Sequence, residues 1–229
     1  MYFDPYYFLF VVPAFILALV AQILVKSTYS KMSGVMNNRG ITGAEAAMAV
    51  LRHYGIHDVR VEMTKGKLTD HYDPRNNVIR LSEGVFNSTS VAAVGIAAHE
   101  AGHAAQHAQN YAPIRVRNAI VPVCNIASYA GIPLAMFGYF LGSETLIVIG
   151  LALYSVIAVF QLVTLPVEFN ASNRALVVIN ETGLLGDEER TKAAKVLRAA
   201  AMTYVASLVV SLANLLRFIM IFLGGKRRR

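Results

Sequence analysis

Four stretches of the chain are apolar over about twenty residues each, the length an α-helix needs to cross a bilayer. They are Tyr6 to Val25, Ile120 to Leu141, Leu146 to Val167 and Thr203 to Leu223. In lipid every backbone N–H and C=O must be satisfied within the spanning structure, and runs of this length do so as helices. The chain therefore reads as an integral membrane α-helical protein with three to four membrane segments. Its composition agrees: 55% of the 229 residues are hydrophobic and only 15% charged, too few charges to cover an ordinary soluble domain.

The charges orient these segments. The run at 6–25 follows Met1-Tyr2-Phe3-Asp4, which has no basic residue, and is followed by Lys26 and Lys31. That is a retained anchor with its N-terminus outside, because a signal peptide wants its basic residues first. The second and third runs form a hairpin at 120–167 around the unbasic turn Gly142-Ser143-Glu144, with Arg115 and Arg117 before it and Arg174 after it. By the positive-inside rule, residues 27–118 and 168–200 then share the cytoplasmic face. The last run, 203–223, places Ser207, Ser211, Asn214 and Arg217 on one helical face, and such a stripe faces protein or a wet cavity. Spanning would put the basic tail 224–229 outside, against the charge rule, so spanning and re-entrant readings both stand. The chain has no tryptophan, so Tyr2, Phe3, Tyr6 and Tyr7 are the interfacial anchors. The net charge of +7 reads as juxtamembrane anchoring to the lipid bilayer; no basic-aromatic pattern points to nucleic acid. The single Cys124 excludes an intrachain disulfide and reads as a small buried hydrophobe.

Between the first two runs lies a segment with soluble patterning. Thr42 or Gly43 opens a helix over Ala44–Tyr54, closed by Gly55. Val59–Met63 alternates as a strand, Leu68–Tyr72 runs back after the Lys65-Gly66-Lys67 turn, and Val78–Leu81 follows the Asp73–Asn77 turn. A small sheet beside a helix at about 89–109 gives a small α+β domain. An edge of that sheet is available to an extended peptide.

The helix at 89–109 carries His99-Glu100-Ala101-Gly102-His103, an H-E-x-x-H motif, after an Ala/Val/Ile run that Ser88, Thr89 or Ser90 can cap. Residues four apart share a helix face, so His99 and His103 can aim their imidazoles at one zinc ion. Glu100, rotated by about 100°, sits beside that point, where its carboxylate can hold a water. By itself the motif also fits a helix whose histidines make ordinary hydrogen bonds. A catalytic zinc needs a third protein ligand. His107 continues the row but lies about 12 Å along the axis from His99. No glycine turn follows His103 to bring the chain back, so His107 reads as a supporting or surface residue. Glu168 is the only acidic residue between Glu144 and Glu181. It emerges from the hairpin on the same side and is the expected third ligand. His71 and Tyr72, near a turn, could polarise a carbonyl, although plain turn residues are the commoner case.

Together, His99–His107, Asp70-His71-Tyr72-Asp73-Pro74-Arg75 and Pro166-Val167-Glu168-Phe169-Asn170-Ala171-Ser172 resemble the YugP-type neutral zinc metallopeptidases of bacterial membranes over nearly the whole chain. A more distant resemblance is to gluzincin membrane proteases of the HtpX and CAAX prenyl protease type. The resemblance implies that the small α+β domain is a zincin-like catalytic domain, with one catalytic Zn2+ held by His99, His103 and Glu168 and Glu100 as general base, in a multi-pass protein of the bacterial cell membrane. Many gluzincins place an aspartate four residues after the ligand glutamate, orienting a zinc histidine. Here Ser172 stands there, with Asn170 as a possible substitute. Arg174 or His71 would stabilise the oxyanion.

The expected activity is a zinc-dependent metallopeptidase acting on membrane proteins or juxtamembrane peptides. Two alternatives stand beside it: a non-enzymatic membrane scaffold with a vestigial zinc site, and a zinc hydrolase of non-peptide amide or lipid-linked substrates. Retention of Glu100, which a structural site does not need, counts against the scaffold.

Overall fold

The computed structural model describes residues 4–222. Two sequence expectations fall outside them: the anchoring role of Tyr2 and Phe3, and the basic tail at 224–229. In chain order, a π-helical turn (Tyr7–Val11) leads into α1 (Val12–Ser33), followed by α2 (Gly43–His53), β1 (Arg60–Thr64), β2 (His71–Asp73) and β3 (Val78–Ser82). Then come α3 (Glu83–Phe86), α4 (Val91–Ala108), α5 (Ala112–Phe140), α6 (Glu144–Glu181) and α7 (Asp187–Phe222). Four of these helical stretches are long and apolar enough to cross a membrane: Tyr7–Ser33, Ala112–Phe140, Glu144–Glu181 and Asp187–Phe222. The fold is that of an integral membrane α-helical protein with a small α+β region.

Two long helices replace what the sequence divides. The hairpin's second arm does not stop at Val167, because α6 runs on unbroken through Pro166 and Glu168 to Glu181. At about 1.5 Å per residue it is roughly 57 Å long, against about 30 Å of hydrocarbon. One continuous helix therefore carries both a membrane segment and the expected third ligand. The helix at 187–200 and the run at 203–223 are likewise one helix, α7. Its first turn holds Asp187, Glu188 and Glu189, matched to the positive end of the helix dipole.

The chain divides into two compact units. The first comprises Met1–Gln22, Arg115–Leu165 and Thr203–Arg229, as far as these are described. Here α5 and α6 turn at Gly142, whose φ of 67° suits glycine, and pack backbone to backbone. A Cβ on Gly150 would lie 2.4 Å from Ala135 N, and one on Gly138 2.7 Å from Ile147 N. Such small-residue contact is how membrane helices associate without a hydrophobic driving force. On α7, Ser207, Ser211 and Asn214 each donate to the carbonyl four residues earlier, so the stripe largely satisfies itself. Arg217 is the exception: its Nε donates to Asp4 Oδ2 at 2.7 Å. The end of α7 therefore lies beside the beginning of the chain, and α7 is unbroken from Asp187 to Phe222. Cys124 on α5 is half-buried rather than buried.

The second unit comprises Ile23–Ile114 and Pro166–Met202. Its core is α4, thirteen of whose eighteen residues are buried, so this is a central helix rather than an amphipathic one. Ser90 provides the cap, its side chain accepting from Ala93 N. Helix α2 starts with a capping box, in which Thr42 accepts from Glu45 N while Glu45 accepts from Thr42 N. The hydrogen bonds from Thr42 also hold the Glu45 carboxyl below its ordinary pKa. Gly55, at φ 66°, follows. The sheet corrects one expectation. Strand β2 does not run back onto β1; β3 lies between them, parallel to β1 and antiparallel to β2. The reason is burial: all of β3 except Arg80 is buried, as a central strand must be, whereas β1 and β2 are the partly exposed edges. Strand β2 packs against α4.

Candidate metal centre

Helices α4 and α6 meet at Gly102, where a Cβ would lie 2.6 Å from the carbonyl oxygen of Ala171. Only glycine allows that approach. It brings Glu168, one turn before Ala171 on α6, over His99 and His103 on α4. The ligand atoms form a triangle: His99 Nε2 to His103 Nε2 is 3.1 Å, His99 Nε2 to Glu168 Oε2 is 3.4 Å, and His103 Nε2 to Glu168 Oε2 is 3.7 Å. Ligands bound tetrahedrally at about 2.0–2.1 Å from zinc are about 3.4 Å from one another. The spacing and the two-nitrogen, one-carboxylate donor set therefore fit zinc, and His99, His103 and Glu168 are the group among the described residues that could hold a metal ion.

The hydrogen-bond network behind this triangle determines which ring nitrogens face it. Gln106 is fully buried, and its Nε2 donates to Val167 O at 2.7 Å and Asn170 Oδ1 at 3.0 Å. A carbonyl only accepts, so the amide nitrogen must point that way and Oε1 must face His103 Nδ1, 3.0 Å away. His103 therefore carries its proton on Nδ1 and presents a lone pair on Nε2 when neutral. His99 Nδ1 lies 3.1 Å from Ser172 Oγ, a hydroxyl able to accept in the same way. Of the two candidates for the missing aspartate, Ser172 touches a motif histidine, whereas Asn170 acts one step further back, through Gln106.

Electrostatics follow from burial and pairing. Glu168 is 3% exposed; burial pushes its carboxyl up, but hydrogen bonds and charge from His103 and His99 prevail and hold it well below the usual carboxylate range. Burial pushes His103 down, and its contacts with Glu168, together with the Glu100 charge, prevail and raise it. Glu100 is part-exposed on the same helix.

The remaining sequence candidates lie around this centre. Arg174 Nε donates to Asn170 Oδ1 at 2.7 Å and its Nη1 to Gln109 Oε1 at 2.6 Å. Its guanidinium lies 5.6 Å from the Tyr54 ring centroid and 5.9 Å from that of Tyr111. It anchors Asn170, which in turn accepts from Gln106. His107 packs its ring edge-on to Tyr72, with centroids 5.5 Å apart. His71 is exposed, with Nδ1 2.7 Å from Thr69 O. Sequence reading overlooked Gln106 and Gly102. The signal for Gln106 is a lone amide in an alanine run, three residues after the second histidine and hence on its face.

Comparison with known proteins agrees with this centre. A family model described as "Putative neutral zinc metallopeptidase" matches residues 7–223. The chain is 49% identical over 206 residues, covering 90% of its length and 92% of the relative's, to a protein of Bacillus subtilis (strain 168) described as "Putative membrane protease YugP". No solved structure matches it. With a family match across nearly its whole length and a relative of this identity, the chain belongs to the neutral zinc metallopeptidase family of membrane proteins.

Proposed function

We propose that the chain is a gluzincin-type endopeptidase with one catalytic zinc, cutting membrane proteins or juxtamembrane peptides at the cytoplasmic face. The observation that carries this is the triangle of His99, His103 and Glu168, its edges averaging close to the tetrahedral value, with Glu100 next to it on α4. When bound there, zinc acts as a Lewis acid on water and on the scissile carbonyl. Gln106 and Ser172 hold the two rings in register, so that both Nε2 lone pairs face the site. The Glu100 carboxylate takes a proton from water as its oxygen bonds to the carbonyl carbon. It returns that proton to the leaving amine nitrogen as the C–N bond breaks. An extended peptide is presented by β2, a sheet edge packed on α4, through main-chain hydrogen bonds. Sixteen of the 21 Lys and Arg residues lie between Lys26 and Arg198, all of them outside the apolar runs, which supports a cytoplasmic site.

The test is zinc content of the detergent-purified chain, with casein hydrolysis in parallel. Wild type is expected to hold one zinc, Glu168→Ala to lose it, and Glu100→Gln to keep it without hydrolysing casein. Wild-type zinc retention in Glu168→Ala would remove Glu168 from the ligand set, and activity in Glu100→Gln would remove the base.

A further inference from the structure

We infer that a side pocket at the end of the sheet receives a lysine or arginine side chain of the peptide substrate, with Asp58 as its counter-charge. This rests on the endopeptidase reading and names the residue class that it selects. The pocket has a volume of about 200 Å³ and lies between α4 and the strand ends. Ile56, Val59 and Ala104 form apolar walls, and Asp58, Asn77, Tyr72 and the His107 ring supply polar atoms. Apolar walls with a carboxylate among the polar atoms match a side chain made of a methylene stem with a cationic head.

The neighbouring charges make the case for a cation. Asp73 is already satisfied, accepting from Arg80 Nη1 at 2.8 Å and from Asn76 Nδ2 at 2.7 Å. Asp58 accepts from Asn77 Nδ2 at 3.3 Å, and Asn77 Oδ1 in turn accepts from the Tyr72 hydroxyl at 3.3 Å. Among the described residues no lysine or arginine forms an ion pair with Asp58. The one carboxylate in the pocket lining is thus held by a neutral donor, Asn77, rather than by a lysine or arginine. Burial, then the Asp58 and Asp73 charges, push the Tyr72 phenol up.

Position ties the pocket to the reaction. Ala104 follows His103 directly and lies one turn, about 6 Å, along α4 from Glu100. An extended peptide rises about 3.4 Å per residue, so the side chain entering the pocket is about two residues from the scissile bond. Tyr72 places the pocket at β2, the strand on which the peptide would run.

The experiment uses the full chain in detergent, loaded with zinc. Cleavage of a peptide library is mapped by mass spectrometry, followed by kinetics on matched peptides with lysine, norleucine or glutamate at the selected position. Norleucine keeps the stem and removes the charge, so it isolates Asp58. Wild type is expected to favour lysine over norleucine by about tenfold in kcat/KM, the size of a charge-assisted contact partly open to water. Asp58→Asn should bring that ratio close to one, and Asp58→Lys should turn the preference toward glutamate, with zinc content in both as in wild type. Cleavage with no basic preference, or a preference unchanged in both variants, overturns the pocket while leaving the protease reading intact. Zinc-loaded wild type that cleaves no peptide overturns the protease reading, and the pocket's substrate with it.

Discussion

Replacing Gly102 with alanine tests whether the α4–α6 crossing sets the metal geometry. The added Cβ would lie 2.6 Å from Ala171 O, 3.2 Å from its C and 3.3 Å from its Cα, all backbone atoms of another helix. The first of these falls about 0.8 Å short of an ordinary contact, and backbone cannot swing aside as a side chain can. Alanine otherwise favours a helix over glycine by about 1 kcal/mol, so without the crossing the substitution would stabilise. Overpacking costs about 1–3 kcal/mol. If the helices part to relieve it, Glu168 moves with α6 by several times the roughly 0.2 Å that a metal–ligand distance tolerates. Zinc must then pull the helices back against that strain, and a strain of about 1–3 kcal/mol lowers affinity by about 5- to 150-fold. The assay is competition with a chromophoric chelator in detergent, alongside thermal unfolding of the metal-free protein. Gly95→Ala is the control: its Cβ would lie 3.3 Å from the Ala193 side chain on α7, a contact relieved by a few tenths of an ångström. It should bind zinc as wild type does and melt no lower. Wild-type affinity and an undiminished melting temperature in Gly102→Ala would refute the claim that this crossing holds the site together.

Further outcomes follow from the same network. Ser172→Asp puts a charged acceptor on His99 Nδ1, raising ligand basicity, and should tighten zinc by up to about tenfold; Gln106→Leu removes the acceptor from His103 Nδ1 and should weaken it by about 10- to 100-fold, both read by the same competition. Zinc affinity should fall as pH is lowered, because the ligands must be deprotonated. His103 is raised above its ordinary 6.5, so the metal-free site still holds a proton above that pH, and zinc must displace it. Calorimetry in two buffers of different ionisation enthalpy should register that release just above pH 6.5, shrinking as pH rises further. In the membrane unit, Asp4→Ala leaves Arg217 unpaired and should lower the melting temperature, while Asp4→Ala with Arg217→Leu should recover part of the loss; additive losses would show that the pair is not coupled.

Much of the site was legible before any fold. The i, i+4 spacing of His99 and His103 is a property of one helix, and the isolation of Glu168 among the acids between 144 and 181 left little choice of third ligand. Gln106 was not legible, because its role depends on Val167 O and Asn170 arriving from α6. The strand order was hidden for a similar reason. Local turns suggest that neighbouring strands pair, but the central place went to β3, the strand that could be buried on both sides.

The sequence by itself determined the membrane helices, the α4 motif and its capping, because periodicity, apolar length and local hydrogen bonds act within a dozen or so residues. Tertiary structure alone decided the backbone crossing at Gly102, the Gln106 contact that sets the His103 tautomer, the Ser172 contact with His99, the continuity of α6 and α7, and the place of Asp58 beside Asn77. Each of these depends on atoms far apart in the chain meeting within hydrogen-bonding or van der Waals distance, and no local pattern encodes that.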